Sequence, residues 1–124
     1  MTRHGVRAPD NRTLSLKERQ LLTWLLDHGK PSAQSYLAAI ESLRVVARCG
    51  CGCASVDFLH APSTPLEILS DHMWRDAAGW VFGIFAFAKS GQLAGLEVWS
   101  IDGEGTPTDL PDAADLVPLD THAA

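Results

Sequence analysis

All three cysteines of this chain fall within five residues, in the run Arg48-Cys49-Gly50-Cys51-Gly52-Cys53-Ala54-Ser55. The flanks of that run constrain the fold. On its N-terminal side Leu43, Val45, Ala47 and Cys49 alternate with Arg44 and Arg48, the pattern of a half-buried strand. On its C-terminal side Val56, Phe58 and His60 point one way while Ser55, Asp57 and Leu59 point the other. The inward parity changes from odd to even, which one uninterrupted strand cannot do. The spacing therefore predicts a turn or bulge within Gly50 to Cys53, where glycine permits positive φ. Soft, nucleophilic sulfur would be concentrated at that bend.

Size and composition narrow the rest. At 124 residues, 46% apolar and 20% charged, the chain reads as one soluble globular domain. Its longest apolar run, Trp80 to Ala88, is far shorter than the ~20 residues a bilayer span needs, so no membrane partner is expected. The basic N-terminus lacks a following apolar stretch and does not read as a secretory signal. An odd number of clustered cysteines is no disulfide framework, and a cytoplasmic, reducing home is expected. The net charge of −5 is unevenly laid out: six acids and no Lys or Arg follow from Asp102 onward. The acidity thus belongs to the tail. No basic stripe with interleaved aromatics is present, and no nucleic-acid partner is expected.

Two helices are predicted to open the fold. Ser15 and Glu18 fit a capping box, and Leu21, Leu22, Leu25 and Leu26 recur at helical spacing beside Trp24. Gly29 is expected to end that helix in a left-handed conformation. Ser32 is then read as the cap of a second helix, carrying Tyr36, Leu37, Ile40 and Leu43 as a stripe with Ala33 and Ala39 on its buried face. For residues 64–78 two readings compete. Thr64-Pro65-Leu66-Glu67 has the character of a helix start, whereas Asp76-Ala77-Ala78-Gly79 reads as a hairpin loop that would make Glu67 to Arg75 a strand. Val81 to Ala88 is a buried strand, Lys89-Ser90-Gly91-Gln92 a tight turn, and Leu93 to Ile101 the returning strand. That pairing puts Phe85, Phe87, Leu96 and Val98 on one face. The tail, with Pro107, Pro111 and Pro118, is expected to lie partly on the domain and to end in disorder.

The run Val45 to Asp57, with Cys-Gly-Cys-Gly-Cys before Ser55-Val56-Asp57, resembles a family of small uncharacterised bacterial proteins. The resemblance returns at Gly83 to Leu93 and at Leu96 to Gly103, covering about half of the chain. Where that family often carries proline after the last cysteine, this chain has Ala54, and some members lack one of the cysteines. The resemblance implies an antiparallel sheet preceded by helices, favours a strand for Glu67 to Arg75, and implies no activity.

Three readings of the cysteines stand side by side. They are small apolar core atoms around a tight turn, soft-metal ligands, or redox-active thiols. A metal reading would use Cys49, Cys51, Cys53 and a histidine, His60 or His72, with zinc as the ion. Cys49 and Cys53 would lie ~13 Å apart in an extended strand, so that reading needs the bend. Ser55, Asp57 and His60 have the composition of a triad without a nucleophile elbow around them. Asp57 and Glu97 read as carboxylates on neighbouring strands, facing solvent. Trp74, Trp80 and Trp99 read as core filling.

The fold expected is α+β, two N-terminal helices packed on an antiparallel meander of about five strands. It divides into a flexible segment 1–13, a single domain 14–103 and an acidic, proline-containing tail 104–124. The function expected is that of a non-enzymatic accessory factor, immunity-like, whose partner is another protein; self-association into a homo-oligomer is compatible with it. No cofactor is expected in that case. The alternative is a metal-binding or thiol-redox protein built on Cys49, Cys51 and Cys53.

Overall fold

Ser15 opens helix α1 (Leu16–Asp27) with the reciprocal bonds of a capping box. Its hydroxyl accepts from the Glu18 N–H at 3.1 Å, and Glu18 Oε1 accepts from the Ser15 N–H at 2.8 Å. Leu21, Leu22, Leu25 and Leu26 are buried along one stripe. The structure, a computed structural model, describes residues 7–60 and 65–119. Helix α1 does not end as expected. His28 is the C-cap, and Gly29 is not among the positive-φ residues. Gly29 is small because the chain passes close to the sheet there, where a Cβ would collide with the Leu69 carbonyl oxygen, and the next residue, Lys30, donates its N–H to that same oxygen at 3.0 Å.

The second helix is a 3-10 helix, Pro31–Ser42, rather than an α-helix. Lys30 is its N-cap, Pro31 fills the first turn, and no side chain caps it, so Ser32 does not play the expected role. The apolar positions explain the winding. Ala33, Tyr36 and Ala39, like Leu37, Ile40 and Leu43, are spaced by three, the period of a 3-10 helix. Ala33 and Ile40 are buried, and Tyr36, Leu37 and Leu43 pack against the same core.

The sheet is antiparallel and has seven strands rather than about five. They are β1 (Arg7–Thr13), β2 (Arg44–Cys49), β3 (Val56–Asp57), β4 (Glu67–Arg75), β5 (Val81–Lys89), β6 (Gln92–Ser100) and β7 (Val117–Pro118). Their order is β1-β2-β3-β6-β5-β4-β7. The two unanticipated strands form its margins. β1 lies where the sequence reads as a flexible lead-in, because Pro9, Asp10 and Asn11 are poor strand formers. At an edge, with a register shift between Pro9 and Arg12, they are tolerated. The segment 64–78 resolves to strand β4; Thr64 lies outside the described residues. β4, β5 and β6 form the meander. Asp76–Gly79 closes the first turn, and Ser90 and Gly91, both at positive φ (52° and 74°), close the second as a two-residue hairpin loop.

One face assignment is overturned. Lys89↔Gln92 and Ala88↔Leu93 pair as the hairpin dictates, but the register then shifts, giving Phe87↔Gly95 and Phe85↔Glu97. One extra residue in β6 flips the remaining side chains, so Leu96 and Val98 face α1 with Ala86 and Ile84. Phe85 and Phe87 instead form a separate cluster on the opposite face with Ala94, against which Leu59, Leu66, Ile68 and Trp99 pack.

The tail lies on the domain as far as Leu119. The Ala54 N–H donates to the Pro107 carbonyl at 3.0 Å, Pro107, Pro111 and Leu116 are buried, and β7 pairs with β4 at His72 and Met73. Residues 120–124, where the sequence suggests disorder, lie outside the described residues. Among the described residues no helix is long and apolar enough to cross a membrane.

Candidate functional site

The cysteines occupy the loop that joins β2 to β3. Arg48↔Val56 and Ala47↔Asp57 are the paired residues below it, and the Cys49 N–H donates to the Ser55 carbonyl at 3.2 Å. Above that bond the chain turns within Cys49 to Cys53. Gly52, at φ +91°, donates its N–H to the Cys49 carbonyl at 3.4 Å. This is the bend that the parity change requires, and it converts an extended separation into a cluster. The three Sγ atoms lie within 4.8 Å of one another. A tetrahedral zinc–thiolate site separates its sulfurs by about 3.8 Å, so the set surrounds one ion only once the Cys49–Cys51 disulfide is reduced and those two sulfurs move apart. The cluster could hold a metal ion.

Backbone amides support the sulfurs. The Cys51 N–H donates to Cys49 Sγ and the Cys53 N–H to Cys51 Sγ, both at 3.4 Å. Cys49 and Cys53 are 1% and 6% exposed, whereas Cys51 is open to solvent. Cys49 and Cys51 are joined as a disulfide, and Cys53 is a free thiol.

His60 is not brought to the cluster. It is exposed, and no histidine or carboxylate joins the three sulfurs among the described residues. His72 is far along the sheet, buried on β4 against the edge of Trp24, whose face stacks on His28 at 4.0 Å. Burial first, and then the neighbouring His28, holds the His72 pKa below its ordinary value. The triad composition dissolves as well. Ser55 Oγ accepts from the Val98 N–H at 2.9 Å and donates to the Val98 carbonyl at 3.2 Å. It replaces a strand that β3 is too short to supply. The Cys53 thiol in turn donates to Ser55 Oγ at 3.4 Å, so the cluster is one hydrogen bond from the centre of the sheet.

Asp57 and Glu97 are not solvated carboxylates. Both are buried, at 8% and 2% exposure, and share the guanidinium of Arg7, which lies 3.4 Å from Asp57 and 2.8 Å from Glu97. The sequence could reveal this triplet only once Arg7 was placed in a strand, opposite Cys49. The three tryptophans are not all core filling, since Trp80 is exposed. Trp74 packs on Phe82 in the α1-facing core, Trp99 covers Gly83 on the other face, and Trp80 covers Gly105 at the surface.

Below the cysteine loop lies a cavity of about 320 Å³, with Cys53 and Arg48 in its wall together with Arg12, Lys17, Glu18 and tail residue Asp109. Arg12 holds Glu18 through two bonds, at 2.8 and 2.9 Å, and Lys17 pairs with Asp112. Burial pushes the Glu18 carboxyl up, but the bonds from Arg12 and Ser15 outweigh it and hold the carboxyl below its ordinary value. Among the described residues the Arg48 guanidinium has no ion-pair or hydrogen-bond partner, while its backbone pairs with Ala8 and Val56.

No protein-family model matches the chain, and no curated protein or solved structure is significantly similar to it.

Proposed function

We propose that this chain is a soft-metal-binding thiol protein. Cys49, Cys51 and Cys53 hold zinc when reduced, and the Cys49–Cys51 disulfide is the oxidised, metal-free form. The convergence of three sulfurs within 4.8 Å carries the reading. Reduction takes two electrons and two protons from a thiol reductant and returns two thiols, and zinc then binds with release of protons. The exposed Cys51 gives the ion a way in. A reducing cytoplasm keeps the set in its thiol form.

Elemental analysis of protein purified under reducing conditions, paired with native thiol titration, tests this. One zinc per chain, with thiols shielded until a chelator is added, is the expected result. A metal-free reduced chain that takes up no added zinc overturns it. The second reading is a non-enzymatic accessory role in binding another protein. It is favoured by three large apolar side chains left in solvent, Leu16, Trp80 and Val117. A partner-binding surface there loses affinity when Trp80 is changed to serine, with the cysteines intact; binding that survives this change counts against it.

A further inference from the structure

We infer that the cleft between the C-terminal end of α1 and strands β4 and β7 binds a small, uncharged cyclic amide, held by Ser70 and His72. The inference stands apart from the cysteine loop and from the metal reading. It begins with two atoms that the fold leaves unserved. Ser70 Oγ and His72 Nδ1 are buried and have no hydrogen-bond partner among the described residues. The two residues are 5% and 4% exposed. Native folds leave few buried polar atoms unpaired, and each such atom calls for an explanation. Here both residues line one cavity of about 480 Å³, within the ~300–1,000 Å³ range of small-molecule sites.

Ser70 and His72 lie two apart on β4 and share a face: they pair with Ala86 and Ile84, both in the core beneath α1. Asp71, between them, pairs with Phe85 and turns its side chain to the opposite face. The end of α1 leaves room beside Ser70 because Gly29 has no side chain; a Cβ there would lie 3.0 Å from Ser70 Cβ. The buried side chains available to a ligand are neutral. Burial, then the neighbouring His28, keeps the His72 imidazole uncharged at pH 7. Lys30, also in the wall, pairs with Glu67. An ion would enter without a buried counter-charge, so an uncharged ligand is selected. Residues two apart on a strand stand ~7 Å apart, and a group carrying an acceptor beside a donor spans them. The Ser70 hydroxyl donates to the ligand carbonyl, and the ligand N–H donates to His72 Nδ1, whose ring carries its proton on Nε2. A ring matters because it holds the amide cis, with C=O and N–H on one edge; the trans amide of an open chain points them apart. Ile68, Leu69, Pro118 and Leu119 supply an apolar wall for the rest of the ring.

The experiment titrates the nitrogen-15-labelled full-length chain with 2-pyridone, N-methyl-2-pyridone or benzoate, and follows backbone amide and histidine ring signals by NMR. The expected result is a saturable shift of the His72 signals by 2-pyridone. N-methyl-2-pyridone, which lacks the N–H, binds roughly tenfold more weakly, the worth of one hydrogen bond, and the benzoate anion is also weaker than 2-pyridone. Ser70→Ala weakens 2-pyridone binding roughly tenfold yet leaves the melting temperature of the free protein unchanged or higher, since the hydroxyl serves nothing within the fold. His72→Phe keeps a ring against Trp24 and loses the preference for 2-pyridone over its N-methyl form. Three results overturn the inference: no saturable shift up to the solubility limit, equal affinity for the two pyridones, or a Ser70→Ala protein that binds as tightly as the parent.

Discussion

Replacing Ser55 with alanine removes one oxygen atom and leaves two backbone groups without partners. Ser55 and Val98 are both fully buried, and the hydroxyl serves the Val98 N–H at 2.9 Å and its carbonyl at 3.2 Å. Water cannot reach either group, so each bears a desolvation penalty of about 1–3 kcal/mol once orphaned. The Cys53 thiol loses its acceptor too, a weaker loss. The sum is about 3 kcal/mol, a large part of the ~5–15 kcal/mol that holds a domain together. Urea unfolding reads it directly: the midpoint falls while the slope stays constant, and the melting temperature drops by about 10 °C. Ser100→Ala is the control, because the Ser100 hydroxyl binds the Glu104 carbonyl at an exposed site and its loss stays within ~0.5 kcal/mol. A Ser55→Ala protein that loses less than about 1 kcal/mol, or no more than Ser100→Ala, would falsify the claim that a side chain completes the sheet.

Three further outcomes are expected. Glu18 has a folded-state pKa below its ordinary value, so its contribution is complete above the unfolded value of ~4.3 and disappears as pH falls through the folded one. Glu18→Gln therefore loses about 1 kcal/mol at pH 7, and urea titrations at pH 3 find the gap narrowed. Asp71 behaves oppositely. Burial lifts its carboxyl to about 6, so the folded state is penalised above that pH and relieved as pH falls toward ~3.9. Two pK units correspond to ~3 kcal/mol, but Asp71 keeps partial solvent contact, which screens most of it. Asp71→Asn gains about 1 kcal/mol at pH 8 and nothing at pH 4; a gain that is equal at both pH values refutes the assignment. Gly95→Ala forces a Cβ into the Phe87 ring and to within 2.8 Å of the Val56 carbonyl oxygen, which calorimetry should register as a loss of about 1–3 kcal/mol.

Much of this molecule is legible along the chain because local chemistry decides it. Ser15 and Glu18 announce α1, Ser90 and Gly91 the tight hairpin, and the parity change around Gly50–Cys53 the bend that gathers the sulfurs. What stays hidden is set by distant partners. Pro9, Asp10 and Asn11 become a strand only because β2 offers an edge to pair with. The fate of Phe85 and Phe87 turns on a single extra residue in β6, which no alternation of apolar positions marks. The Arg7 triplet and the cavity beside Arg48 depend on segments that are remote in sequence but adjacent in the sheet. That Cys49, Cys51 and Cys53 cluster is legible from the bend; the position of His60, exposed and away from them, is not, because spacing alone does not select a histidine.

The order of the strands also has a kinetic consequence. β4, β5 and β6 follow one another through two tight turns, and β2 meets β3 across the cysteine loop, so each group assembles over short loops and forms early. The strands of the two groups pair at Val56↔Leu96 and Asp57↔Gly95, a short border that joins distant parts of the chain and is extended by the Ser55–Val98 bonds and the Phe58 N–H to the Ala94 carbonyl. Closing it is the entropically expensive event, and contacts made there arrive after the folding barrier. Ser55, beside that border, is then a brake on opening rather than an aid to closing: stopped-flow traces of Ser55→Ala should speed up in the unfolding arm and barely move in the refolding arm. The protein's lifetime in the native state is set at this narrow junction, next to the same loop that carries its sulfur.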